Sequence, residues 1–165
     1  MMRPRTDMPI AVIALWLALA GPAGAAPPDV ELPDLSGTPR SLAEFEGRIL
    51  AVNFWATWCA PCLEEIPELV RLQREFGDRG LQWVGVAVED DVEAVRAFAG
   101  KAGVNYPTLI GEDEALALAR DLGNQVAAMP YTVIFDRAGQ VVFVRKGTVR
   151  FDEVVEVIEP LLEGP

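Results

Sequence analysis

One junction constrains this chain more than any other. Ile49 to Trp55, ILAVNFW, is a seven-residue apolar run rich in strand formers, and from Ile66 onward the apolar residues recur at helical spacing. A run of that length between turn-forming residues reads as a buried strand, because helices need ten or more residues to show their period. Ile66, Leu69, Val70, Leu72 and Phe76 then mark one side of a helix, with Glu68, Arg71, Arg74 and Glu75 on the other. The only two cysteines, in Cys59-Ala60-Pro61-Cys62, fall where the strand ends and the helix begins.

The rest of the chain repeats that alternation. Pro27 to Arg40 is proline-rich and expected to be irregular. Ser41 and Glu44 form a capping-box pattern opening a short helix that Gly47 ends. Leu81 to Val88 reads as a strand, Asp91 to Gly100 as a helix with Val92, Val95 and Phe98 inward, and Tyr106 to Ile110 as a short strand. Glu112 to Leu122 reads as a helix with Leu116, Ala119 and Leu122 inward. Tyr131 to Phe135 and Gln140 to Arg145 form a hairpin about Asp136-Arg137-Ala138-Gly139, and Phe151 to Leu162 a closing helix. Such an order predicts an α/β fold, a central mixed β-sheet flanked by helices on both faces.

The amino terminus sets the compartment. Arg3 and Arg5 precede an uninterrupted apolar run, Ile10 to Ala20, followed by small residues around Pro22. This is the pattern of a secretory signal peptide, with cleavage expected after Ala25. Eleven residues would reach only about 16 Å as a helix, against a hydrocarbon core of about 30 Å, so an uncleaved inner-membrane anchor is the weaker alternative. Residues 1–25 are therefore assigned to the leader and residues 26–165 to one domain, located in the periplasm. Removing the leader takes away Arg3, Arg5 and Asp7 and leaves 12 basic and 24 acidic residues, a net charge of −12. Nucleic acid is a poor partner for that surface, and a soluble monomer is expected.

The chain has no histidine, which excludes Ser-His-Asp and Cys-His nucleophiles and histidine-ligated metals. Chemistry falls to thiols, carboxylates and backbone. A cysteine at a strand-to-helix turn meets free N–H groups and the positive end of the helix dipole, which favour its thiolate. Pro61 suits a first helical turn, since no N–H is needed there. A structural staple is the weaker reading, because closing a loop of about four residues contributes only about 2 kcal/mol. A metal site is weaker still: two thiolates leave a tetrahedral ion half-liganded, and neither metal nor other cofactor is expected.

NFWATWCAPC, the following Pro67, the strand WVGVAV, MPYTVIFDRAGQVV and the last helix together resemble the thioredoxin superfamily. Within it the chain is similar to the extracytoplasmic TlpA/ResA-like thiol-disulfide oxidoreductases, over about Asp29 to Leu162. The resemblance implies a thioredoxin-like fold, Cys59 as attacking thiol and Cys62 as resolving thiol. It implies a substrate-facing surface of Trp58, Ala60, Pro61 and Met129, a cis peptide before Pro130, and a helix-bending role for Pro67. Asn53 stands where cytoplasmic thioredoxins carry a buried aspartate. Glu65, one turn after Cys62, matches the glutamate of the ResA-like branch and would exchange protons with Cys62. The alternative for Glu65 is an exposed helix acid, one of three with Glu64 and Glu68. Glu64 departs from the family's basic or polar residue and would raise a thiol pKa.

Neither Ala60 nor Pro61 offers a cation to hold a thiolate, the device that makes a strong oxidant. The expected activity is reduction of protein disulfides in exported clients, with apocytochrome c among those the family implies, and with electrons from a membrane thiol donor. The alternatives are a disulfide oxidant or isomerase, a thiol peroxidase, and a non-enzymatic thioredoxin-like binding domain.

Overall fold

In the computed structural model, which describes residues 26–164, Ile49–Trp55 is a strand buried at every position. The leader expected at residues 1–25 lies outside the described residues. These run as β1 (Glu31–Pro33), β2 (Pro39–Ser41), a 3₁₀ turn (Leu42–Phe45), β3 (Ile49–Trp55), α1 (Ala60–Phe76), β4 (Leu81–Ala87) and α2 (Val92–Ala102), then β5 (Thr108–Ile110), α3 (Asp113–Asp121), β6 (Tyr131–Phe135), β7 (Val141–Lys146) and α4 (Phe151–Leu162). None of these helices is long and apolar enough to cross a membrane.

The main sheet has the order β5-β4-β3-β6-β7. β3 is its centre, parallel to β4 and antiparallel to β6. From β3 to β4 to β5 the chain steps twice in one direction, and two right-handed crossovers place α1 and α2 on the same face. There they pack with α4 on Ile49, Ala51, Trp55 and Trp83. The chain then returns across the sheet, and α3 covers the opposite face over Leu50, Val52, Phe54 and Val86. The thioredoxin-like arrangement thus puts β3 between two cores and its carboxyl end at the middle of one sheet edge.

Local sequence explains most boundaries. Glu44 accepts a hydrogen bond from Ser41 N–H (2.9 Å), Ser41 Oγ accepts from Ala43 N–H (3.1 Å), and the helix they open is a single 3₁₀ turn. Asp91 caps α2 by accepting from Ala94 N–H (3.0 Å). In the β6–β7 turn Asp136 Oδ1 accepts from Ala138 and Gln140 N–H, and Gly139 takes φ +75°.

Beyond shifts of one or two residues at element ends, three features differ from expectation. The proline-rich entry is not wholly irregular: β1 and β2 pair antiparallel, with Pro33 opposite Pro39. Three-residue strands are too short to show a period, and the prolines meet at one end of the ladder, where prolines are tolerated. Tyr106 precedes β5 rather than opening it. On α3 the buried stripe is Ala115, Leu118 and Ala119, with Leu116 and Leu122 only partly covered. Residues 115–119 are all apolar, so the sequence leaves the helical phase open by one position.

Candidate active site

The carboxyl end of β3 delivers the cysteines to the head of α1. Cys59 N–H donates to Ala56 O (3.1 Å), which turns the chain. Cys59 is then the N-cap residue of α1, in extended conformation, with Ala60 and Pro61 as the first helical residues. The positive end of the helix dipole therefore falls on the Cys59 position. Cys59 and Cys62 are joined as a disulfide, with their Cα atoms 5.3 Å apart. Access to the two is unequal. Cys62 is fully buried and Cys59 is 7% exposed, beside Trp58 at 65% and the exposed Ala60 and Pro61. Pro67 has its side chain exposed, and α1 continues through it as one helix.

β6 brings the second segment. Its register pairs Tyr131 with Phe54, so Pro130, immediately before β6, lies near the carboxyl end of β3, the end that leads to Cys59. The Met129–Pro130 peptide bond is cis, and Met129 packs against the apolar cluster that contains both cysteines. The loop before it is braced by Asn124, buried, whose side chain donates to Ala128 O (2.8 Å) and accepts from Ala128 N–H (2.9 Å).

Helical phase separates Glu65 from its acidic neighbours. Glu64 is exposed and Glu68 half-buried, whereas Glu65, one turn beyond Cys62 on the same side, is 3% exposed. Its carboxylate accepts from Asn53 Nδ2 on β3 (2.7 Å) and from Val149 N–H, just before α4 (2.7 Å). Asn53 Nδ2 also donates to Thr132 Oγ1 on β6 (3.0 Å), while Asn53 Oδ1 is buried without a partner. Burial pushes Glu65 up to about 7, against the opposing pull of the Val149 and Asn53 hydrogen bonds. Burial, with the Glu65 charge second, also raises the pKa of the Tyr106 phenol. A cleft of about 500 Å³ between α1 and the start of α4 is lined by Glu64, Glu65, Glu68, Arg71, Val149 and Phe151, which gives water an approach to Glu65 along the flank of α1.

Sequence reasoning pointed to Asn53 only as the place of a missing aspartate, and it did not identify Thr132, Tyr106, Asn124 or the Val149 amide. The Val149 contact spans 84 positions and uses backbone, so no residue type announces it.

A mixed sheet with a CxxC disulfide at a helix head, and a cis-proline just before the neighbouring strand, defines a thiol-disulfide oxidoreductase of thioredoxin fold. Residues 22–158 match the Redoxin family, and the chain belongs to it. It is 34% identical over 135 residues to the thioredoxin-like protein YneN of Bacillus subtilis, covering 80% of this chain and 76% of that one. To the thiol-disulfide oxidoreductase ResA of the same organism it is 33% identical over 125 residues, covering 76% and 68%. The crystal structure of a thiol:disulfide interchange protein of the thioredoxin family from Chlorobium tepidum shares the fold with a TM-score of 0.75 at 27% identity, covering 87% of this chain and 99% of that one.

Proposed function

We propose that this oxidoreductase works outside the cytoplasm, after export by residues 1–25, as a reductase of protein disulfides. The observation that carries the exchange chemistry is the asymmetry of the pair: one cysteine slightly exposed at a helix N-terminus, the other fully buried one turn from a buried carboxylate. In the dithiol state the Cys59 thiolate attacks a client disulfide, forming a mixed disulfide and releasing the first client thiolate. Glu65, ionised, takes the proton of the Cys62 thiol. The Cys62 thiolate then attacks Cys59 Sγ, closing the Cys59–Cys62 disulfide and releasing the second client sulfur as a thiolate, which takes up the proton held by Glu65 through solvent. Two electrons pass to the client, and a membrane thiol donor returns them.

Glu65 suits this role because a base with a pKa near 7 can both accept and release a proton at neutral pH. Trp58, Ala60, Pro61 and Met129 form the client-facing surface, with cis-Pro130 opposite the disulfide. Apocytochrome c, with its paired cysteines, is the client class that the ResA-like resemblance suggests.

Cys62→Ser should accumulate a covalent complex with a disulfide-bonded apocytochrome c peptide, and Cys59→Ser should form none and show no exchange. Equal residual turnover in the two variants would refute the assigned roles. A complex with other exported proteins but never with the cytochrome peptide would keep the reductase and discard that client.

A further inference from the structure

Immediately beyond β4 the chain carries three consecutive acids, Glu89-Asp90-Asp91, and each is tied to a different element. Asp91 caps α2, and Asp90 Oδ1 accepts from Glu112 N–H (2.9 Å) just before α3. Glu89 turns the other way, toward the approach to the cysteines. Its Oε1 accepts from Thr57 N–H (2.5 Å) and its Oε2 from Thr57 Oγ1 (2.9 Å), and the residue is 8% exposed.

The geometry follows from the sheet. β3 and β4 pair in a register that sets Trp55 opposite Ala87, a spacing of 32 positions, and the last backbone bond of the pair runs from Val88 N–H to Trp55 O (2.8 Å). Thr57 and Glu89 are 32 positions apart as well. Beyond Trp55 the chain must leave the sheet to reach α1, and the Thr57 N–H meets a side-chain carboxylate there. The ladder is continued by a side chain, which lets β3 turn away while its last N–H stays satisfied. With both oxygens accepting, Glu89 has the bonding pattern of a carboxylate.

We propose that Glu89 is a positioning residue for Cys59: its carboxylate clamps the Thr57-Trp58 turn that sets the sulfur at the head of α1, and it keeps a negative charge beside that turn. The clamp acts on the rate of exchange, because Cys59 must be presented to a client disulfide in one geometry. The charge acts on the equilibrium. A nearby negative charge disfavours the thiolate, and a less stabilised reduced form makes the couple less oxidising. Comparing variants holds whichever way electrons flow, so the proposal stands apart from the reductase reading.

Three full-length variants separate the two effects. Glu89→Gln can accept from Thr57 N–H and donate to Thr57 Oγ1, so it keeps the clamp and removes the charge. Thr57→Val removes one clamp bond and keeps the charge. Glu89→Ala removes both. With insulin as disulfide substrate, Glu89→Ala should slow exchange about tenfold or more with its circular dichroism unchanged, and Glu89→Gln should restore the rate to within about threefold of the parent. Against glutathione, Glu89→Gln should shift the equilibrium toward the dithiol about fivefold, or ~20 mV. Thr57→Val should slow exchange and leave that equilibrium unmoved. A folded Glu89→Ala that exchanges as fast as the parent would overturn the clamp. Should Glu89→Ala not fold, a Thr57→Val rate equal to the parent would do so instead. An unmoved equilibrium in Glu89→Gln would overturn the charge.

Discussion

The two faces of the central sheet differ in what β3 sends into them. Toward α3 it sends Leu50, Val52 and Phe54, which join a cluster of buried hydrophobic side chains. Toward α1 it sends Ile49, Ala51, Asn53 and Trp55, and Asn53 is met by Glu65 and Thr132 in a buried hydrogen-bonded group. Both faces are equally buried, yet only one accepts a carboxylate. Against an ordinary value of 4.5, a Glu65 pKa of about 7 means that ionising this group costs about 3 kcal/mol of folded-state stability. A fold selected for stability alone would place a leucine there. The α3 face supplies cohesion, and the α1 face gives some of it up to keep a titrating group one turn from Cys62.

This contrast can be broken from either side. The largest loss of stability should come from the apolar face: Leu50→Ala, at a fully buried site, should lower unfolding free energy by about 2–5 kcal/mol in urea titrations and leave the redox equilibrium unchanged. A shifted equilibrium would mean that the two faces are coupled. On the polar face Glu65→Gln should act mainly through pH. Between pH 4.5 and about 7 the folded protein holds a proton on Glu65 that the unfolded chain has lost. Parent stability therefore falls as pH rises through that window, by about 3 kcal/mol, and levels off above it. Glu65→Gln should flatten this descent and slow the release step of exchange. Parallel stability curves for parent and variant would show that Glu65 does not titrate there.

Much of the fold was legible because its pattern is local. The β3 bounds and those of α4 follow from their apolar runs, and the Ser41–Glu44 capping box and the β6–β7 turn from side chains that bond to their own neighbours. Legibility failed where local pattern is absent or redundant, as in the three-residue strands around Pro33 and Pro39 and the five apolar residues that blur the phase of α3. In the site the cysteines declare themselves by spacing. The surroundings of Glu65 do not, because Asn53 and the Val149 amide reach it, and Thr132 reaches Asn53, from three separate segments brought together only by sheet order and helix packing. Glu89 sits in an acidic run that composition alone reads as solvated surface, and only the β3–β4 register turns it inward.

Whether this pair donates electrons is tested most directly by its reduction potential, measured by equilibration with dithiothreitol and glutathione using a thiol-specific label. A value near that of thioredoxin, about −270 mV, is the predicted result. A value near about −120 mV, the range of a strong oxidant whose dithiol form is stabilised, would contradict it and reverse the direction of electron flow.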